Sequence, residues 1–305
     1  CSLVGSEMCI RDRTHTTAPY ELILVDNGSE PAAAAYARQA GDVAVLHDEN
    51  RGFSGGMNAG MAEARGEIVV FVNNDTVFPP DWDTPLLETF GDHPGAGIVA
   101  PVVTEAGNQV TVRERPGTER FLIPPFDAPP SAVVWAMRTD LVRELGGWSE
   151  DYEIAAAEDI DLCFTTWVNG LDVVVDERVL VDHVGKGSAV QLGDWTRQWA
   201  ANRAVFLAKW TSPDLQVPNA GVIDDDLFER NLQTARSVTT WMARYHAVGG
   251  RPVGRVAKRV MRLGRSLAVR AMRGAKRYRS HPAARRLRAT VERSPAARRF
   301  IQRWR

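Results

Sequence analysis

Three acidic positions in this chain stand where their side chains could do chemistry. The apolar run Ile68-Val69-Val70-Phe71-Val72 leads into Asn73-Asn74-Asp75-Thr76, and Leu22-Ile23-Leu24-Val25 leads into Asp26-Asn27-Gly28-Ser29. Short apolar runs of this kind read as buried parallel strands. A carboxylate at the exit of such a strand lies on the sheet edge where open α/β folds bind ligands. Asp75 is therefore a candidate ligand for a metal-bound diphosphate, although a plain Asx turn after a strand accounts for the same residues. The third position is Glu158-Asp159, just ahead of Ile160, Leu162, Cys163, Phe164 and Trp167, which form the apolar face of a helix. Carboxylates in a first helical turn are favoured by the helix dipole, so ordinary capping stands beside a functional role for this pair.

These positions need elements to hold them. Residues 20 to about 100 alternate apolar strands (Leu22 to Val25, Val43 to Leu46, Ile68 to Val72, Ile98 to Ala100) with helical stretches (Ala32 to Gln39, Met57 to Arg65), the pattern of a doubly wound parallel sheet. Glu105 to Pro130 reads as a loop or short hairpin, Ala132 to Met137 as a strand, and Asp140 to Leu145 as a helix ending at Gly146. In the glycine-rich stretch Gly52 to Gly60, Gly55 and Gly56 would let the backbone approach a ligand while the helix from Met57 aims its free N–H groups at an anion. A tight turn explains the same glycines. The stripe Trp195, Trp199, Phe206 and Trp210, with Asn202 and Arg203 beside it, reads as packing.

Composition narrows the class. A chain of 305 residues, 44% hydrophobic and 25% charged, buries a sizeable core and is neither fibrous nor disordered throughout. No apolar run approaches the ~20 residues of a membrane-spanning helix. The three cysteines, at 1, 9 and 163, have no metal-ligand spacing, which points to a reducing compartment and away from a disulfide framework or zinc site. Residues 1–13 show no periodicity and no secretory pattern, and read as a segment foreign to the domain.

The near-neutral total of 37 bases and 38 acids hides a strong asymmetry. Residues 251–305 hold 19 bases and the single acid Glu292, a net of +18, which leaves the first 250 residues at −19. Val256, Val260, Leu263 and Leu267 recur at helical spacing in that tail. It reads as a basic amphipathic helix on an anionic membrane surface, with a solvated tail as the plainer alternative and nucleic-acid binding disfavoured.

Six segments together resemble an inverting glycosyltransferase of family 2, with the GT-A fold: Val25-Asp26-Asn27-Gly28-Ser29; Asn50 through Gly60; Phe71 through Thr76; Leu145-Gly146-Gly147-Trp148; Glu158 through Cys163; and Asp182-His183 with Gly185-Lys186-Gly187-Ser188. They run in order over about residues 20 to 210 and most resemble the rhamnosyl- and galactofuranosyl-transferase branch. The resemblance implies a Rossmann-like, mostly parallel sheet flanked by helices over residues 14–215, a helical extension at 216–250 and the basic tail from 251. It also implies a first strand ahead of Tyr20-Glu21-Leu22 in the middle of the sheet, so the chain reads as truncated at its start.

The resemblance further implies site roles. Asp159 would be the base that takes the acceptor proton, with Glu158 orienting the helix start or the acceptor. Asp26, Asn27, Asn50, Gly52, Gly55 and Asn74 would meet the donor nucleotide, Trp148 would stack on the acceptor or else fill the core, and Asp75 and His183 would hold Mg²⁺ or Mn²⁺. Where the family commonly has an acid two positions before Asp75, this chain has Asn73. The implied donor is a UDP-, dTDP- or GDP-linked sugar and the acceptor a saccharide or lipid-linked saccharide of cell-wall or polysaccharide synthesis. The enzyme would be cytoplasmic and peripheral at the inner face of the plasma membrane. A nucleotidyltransferase would instead carry a basic, glycine-rich phosphate loop after its first strand, which Asp26-Asn27-Gly28-Ser29 does not supply; a non-catalytic binding protein held by the tail is the other alternative.

Overall fold

A computed structural model describes residues 13–106, 110–184 and 195–247. Two compact units divide the chain, residues 1–249 and 250–305, and the second lies outside the described residues. The tail positions Val256, Val260, Leu263 and Leu267 fall there. Gly185-Lys186-Gly187-Ser188 and residues 1–12 also lie outside the described residues.

The strands are β1 (Ile23–Asn27), β2 (Val43–His47), β3 (Ile68–Val72), β4 (Thr76–Val77), β5 (Ala96–Val103), β6 (Arg120–Ile123), β7 (Val134–Arg138) and β8 (Asp172–His183). The helices are α1 (Pro31–Ala40), α2 (Gly52–Glu63), α3 (Asp83–Asp92), α4 (Thr139–Glu144), α5 (Glu158–Val168), α6 (Trp195–Thr211) and α7 (Asp225–Ala247). α1 starts at a proline, whose fixed φ and missing N–H suit a first helical turn.

The α/β class holds, with a central sheet flanked by helices, but the strand pairing is mixed where a mostly parallel sheet was expected. β1 and β2 pair in parallel as a two-stranded sheet. A six-stranded sheet has the order β3-β7-β5-β8-β4, with β6 also on β8. Within it only β5 and β8 run parallel; β7 lies antiparallel between β3 and β5, and β4 and β6 run antiparallel to β8. The cause is long-range. β7 and β8 come from beyond the strand-helix alternation of residues 20 to about 100 and fill positions that a local βαβ alternation would have given to neighbours in sequence.

All eight residues of β5 are buried, as expected for a strand covered on both faces. On one side Leu86 and Phe90 of α3, with Phe78 and Trp82, pack on Ala96, Val99, Val174 and Val181. On the other side Gly97 leaves room for Thr166 of α5, whose Cγ2 would be 2.6 Å from a Cβ built at that glycine. α5 is itself walled by aromatic rings, with Phe164 against Phe126, Phe206 and Trp210 at 5.1 to 5.2 Å. Beneath α3, the fully buried Asp176 is held by Arg178 at 2.7 Å, Arg120 at 3.3 Å and the Thr89 hydroxyl at 2.8 Å.

Candidate active site

The first group of site residues stands on the β1 exit and the start of α2. Asn27 spends all four of its amide bonding positions on its own surroundings. Its Oδ1 accepts the Arg51 amide at 3.0 Å and lies 3.0 Å from His47 Nδ1, while Nδ2 donates to Asn50 Oδ1 at 3.0 Å and to the Gly52 carbonyl at 2.8 Å. Asn50 Oδ1 also accepts the Gly52 amide at 2.8 Å. Asn27 thus builds the loop. Asp26 differs: it is 3% exposed, and its Oδ1 has no hydrogen-bond partner. An orphaned buried carboxylate oxygen is costly unless a ligand meets it.

α2 begins at Gly52, five residues ahead of the expected Met57. Glycine in a helix costs about 1 kcal/mol each, but here the first-turn N–H groups find partners: Gly52 on Asn50, and Phe53 on the Ile154 carbonyl at 2.5 Å. Gly52 has φ +76°, and a Cβ there would lie 3.2 Å from that same carbonyl oxygen. Close approach of two backbones therefore sets the residue type. Gly55 is buried in the same turn.

The acid pair opens α5. Three of the four residues before it are held in the left-handed region, with Ile154 at φ 56°, Ala156 at 90° and Ala157 at 78°. Each costs about 1–2 kcal/mol for an L-residue with a Cβ. Glu158 is 6% exposed and its Oε2 has no hydrogen-bond partner; Asp159 keeps partial exposure and accepts the Ile160 amide at 2.8 Å. Burial raises both carboxyls above the usual range, and in Glu158 the adjacent Asp159 charge adds to it. The helix dipole contributes less than about 1 kcal/mol in the opposite sense, so desolvation wins. A buried acid and a part-buried acid side by side with raised carboxyls mark the pair as a candidate site beside any capping role.

Asp75 and His183 meet because β4 pairs with β8 in a register that sets Thr76 opposite His183. His183 Nδ1 donates to the Glu105 carbonyl at 2.7 Å, which turns Nε2 toward Asp75 Oδ1, 3.1 Å away. The Asp75 carboxylate raises the imidazole above its ordinary value, against the opposing pull of burial. A nitrogen and an oxygen donor, with the ring fixed by a backbone carbonyl, fit a borderline divalent cation. Among the described residues no group of three or more His, Cys, Asp or Glu stands ready for a metal, so these two would need phosphate oxygens and water to complete a shell. Asn74 lies exposed in the same turn.

Trp148 does not face a ligand. It is 1% exposed, stacked on Trp135 at 5.2 Å and met edge-on by Phe53 and Phe71. The acceptor-stacking expectation gives way to core filling. Gly147, at φ +70°, lets Asn58 come close; Asn58 donates to the Trp148 carbonyl at 2.8 Å and accepts its amide at 2.9 Å. The stripe on α6 divides likewise: Phe206 and Trp210 are buried, whereas Trp199 is 40% exposed beneath Arg203.

Sequence reasoning missed the residues that anchor the acid pair. Asp161 accepts from Lys209 Nζ at 2.9 Å and from Trp210 Nε1, and Lys209 also reaches Asp151 and Ser149, each at 2.8 Å. Burial pulls the Lys209 ammonium down, but Asp161 and Asp151 together raise it, so it stays charged. The available signal was a lysine and an asparagine among the large apolar residues of one helix.

Residues 9–138 match the family profile described as glycosyl transferase family 2. EpsH of Bacillus subtilis, which carries a glycosyltransferase name, is 36% identical over 84 residues, covering 26% of this chain and 24% of its own. Glucosyl-dolichyl phosphate glucuronosyltransferase of Haloferax volcanii is 34% identical over 92 residues, 29% of each chain. The chain thus spans about a quarter of the length of the curated relatives it matches. A Staphylococcus aureus TarS structure, residues 1–349 in complex with UDP-GlcNAc, superposes with a TM-score of 0.50 at 13% identity, covering 75% of this chain and 67% of that one. The fold is GT-A-like.

Proposed function

We propose that this chain transfers a sugar from a nucleoside-diphosphate donor to a hydroxyl of a saccharide or lipid-linked acceptor, inverting the anomeric carbon. The observation that carries the reading is the Glu158-Asp159 pair, one acid buried and the other part-buried at a strained helix start that is joined through Ile154 to the first turn of α2. An alcohol is a poor nucleophile until its proton is being removed. In this reading Asp159 accepts that proton as the acceptor oxygen bonds to the anomeric carbon. The bond to the diphosphate oxygen breaks on the opposite face, and the electron pair leaves with the nucleoside diphosphate. Glu158 orients the helix start or acceptor.

Asp26 would meet the base or ribose, which supplies a partner for its orphaned oxygen. Asn50, Gly52 and Gly55 shape the α2 start beside the donor, with the Gly52 and Phe53 amides already bonded within the protein, and Asn74 borders the same donor. Asp75 and His183 would hold Mg²⁺ or Mn²⁺, which when bound offsets the charge developing on the leaving diphosphate. A lipid-linked acceptor is supported by the Haloferax relative, named for transfer onto glucosyl-dolichyl phosphate. The rhamnosyl or galactofuranosyl branch is the sugar class that the six sequence segments favour.

Among the described residues no helix is long and apolar enough to cross a membrane. The +18 charge of residues 251–305 supports peripheral attachment to an anionic leaflet, on the order of 1 kcal/mol per base before screening. Full-length protein should then sediment with anionic but not zwitterionic vesicles and a chain ending at Gly250 should not. Equal behaviour of the two chains rules out that role.

The test of the activity is release of nucleoside diphosphate from UDP-, dTDP- and GDP-sugars by the full chain, with and without Mn²⁺. Metal-dependent release from at least one donor supports the reading; no release from any donor favours a binding protein.

A further inference from the structure

We propose that Asn202 of α6 is a positioning residue, which holds the left-handed segment Ile154–Ala157 so that Glu158 and Asp159 are aimed from the start of α5. The inference rests on the reading of that pair as the acids of sugar transfer.

Asn202 is 2% exposed, and its amide pairs with the loop as a neighbouring strand would. Oδ1 accepts the Glu153 amide at 3.2 Å, and Nδ2 donates to the carbonyls of Glu153 and Ala155, both at 2.8 Å. Gln198, one turn earlier on α6, donates to the same Glu153 carbonyl at 2.7 Å. Two turns later, Lys209 and Trp210 fix Asp161 beyond the acid pair and Lys209 fixes Ser149 and Asp151 before the segment. α6 therefore brackets the turn on both sides, with Asn202 at its centre. The opposite side is held by α2, through the Phe53 amide on Ile154.

Three non-glycine residues at positive φ within four positions do not persist without such contacts. Ile154, Ala156 and Ala157 are also three of the four residues directly before Glu158. An asparagine is needed because the position must accept one amide and donate to two carbonyls, which neither aspartate nor leucine does. Release of the turn would admit water to Glu158 and Asp159 and misdirect them. It would leave the donor loop, built by Asn27 and Asn50, in place.

The test compares the full chain with Asn202→Ala, with the isosteric Asn202→Asp, and with Asn202→Ala carrying Ala156→Gly and Ala157→Gly. The carboxyl groups of Glu158 and Asp159 are titrated by ¹³C NMR, and turnover and donor KM are measured alongside. The other groups facing the pair, Asp161, Tyr152 and Cys163, stay unchanged. Expected in folded Asn202→Ala is a move of both titrations toward ordinary carboxylate values and at least a ten-fold loss of turnover with donor KM within two-fold. The glycines, which adopt positive φ without strain, should recover at least three-fold of the loss. If Asn202→Ala does not fold, Asn202→Asp is read by turnover and donor KM alone, since its own buried charge raises the neighbouring carboxyls. Titrations within error of the unsubstituted chain, or an altered titration with turnover intact, overturn the proposal. If the unsubstituted chain transfers no sugar, the transfer reading fails, and the titrations alone decide whether Asn202 positions the pair.

Discussion

His183 Nε2 lies 3.1 Å from Asp75 Oδ1 across 108 residues of sequence, held there by strand register on one side and by the Glu105 carbonyl on the other. A cation between them would replace that contact. Asp75→Ala should therefore abolish the Mn²⁺ dependence of nucleoside-diphosphate binding, and His183→Ala should weaken it more mildly, within about ten-fold. Isothermal calorimetry with and without the ion reads both, and unchanged metal-dependent affinity in Asp75→Ala would place the ion elsewhere.

The acid pair sets a pH dependence. Burial pushes Glu158 up to about 7 and Asp159 up to about 6, so the base keeps its proton in mildly acid solution. kcat/KM should then rise with pH through the window from about 6 to about 7. A pH–rate profile whose acid limb lies at 4.5 or below would show that the pair is solvated. For stability the sign is fixed by the same raised values: this contribution is fully present below the unfolded carboxyl values and fades as pH rises through the window.

Asp176 acts with the opposite sign. Its burial opposes ionisation, but the Arg178 and Thr89 contacts hold the carboxyl below its ordinary value. Its contribution is present above the unfolded value near 3.8 and is lost as pH falls. Asp176→Ala removes the buried partner shared by Arg178 and Arg120, which keep Glu88 and Asp92, and should cost about 1.5–3 kcal/mol, several degrees in Tm by thermal denaturation. A shift under one degree would mean that the network contributes nothing net.

Local patterns were legible in the sequence and remote ones were not. β3 spans Ile68–Val72 as its apolar run required, and Glu158 opens a helix where the Ile160–Trp167 spacing placed one. α2 starts at Gly52 because the Ile154 carbonyl, a hundred residues away, receives the Phe53 amide, and no local signal encodes that partner. β6 hid in a Pro- and Arg-rich stretch because its pairing partner, β8, lies far downstream. At the site, Asp75 and His183 were found as separate candidates and the sheet brings them together. Trp148 was misassigned because a tryptophan after two glycines looks the same whether it faces a sugar or, as here, Trp135.

The central claim is that Asp159 takes the acceptor proton in sugar transfer. Asp159→Asn keeps the side-chain size and an oxygen for the Ile160 amide but removes the base. Turnover of the active donor should fall by two or more orders of magnitude, the usual scale for loss of a general base, while donor affinity measured by calorimetry stays within about two-fold. Turnover within a few-fold of the unsubstituted chain, at equal donor affinity, would contradict the assignment.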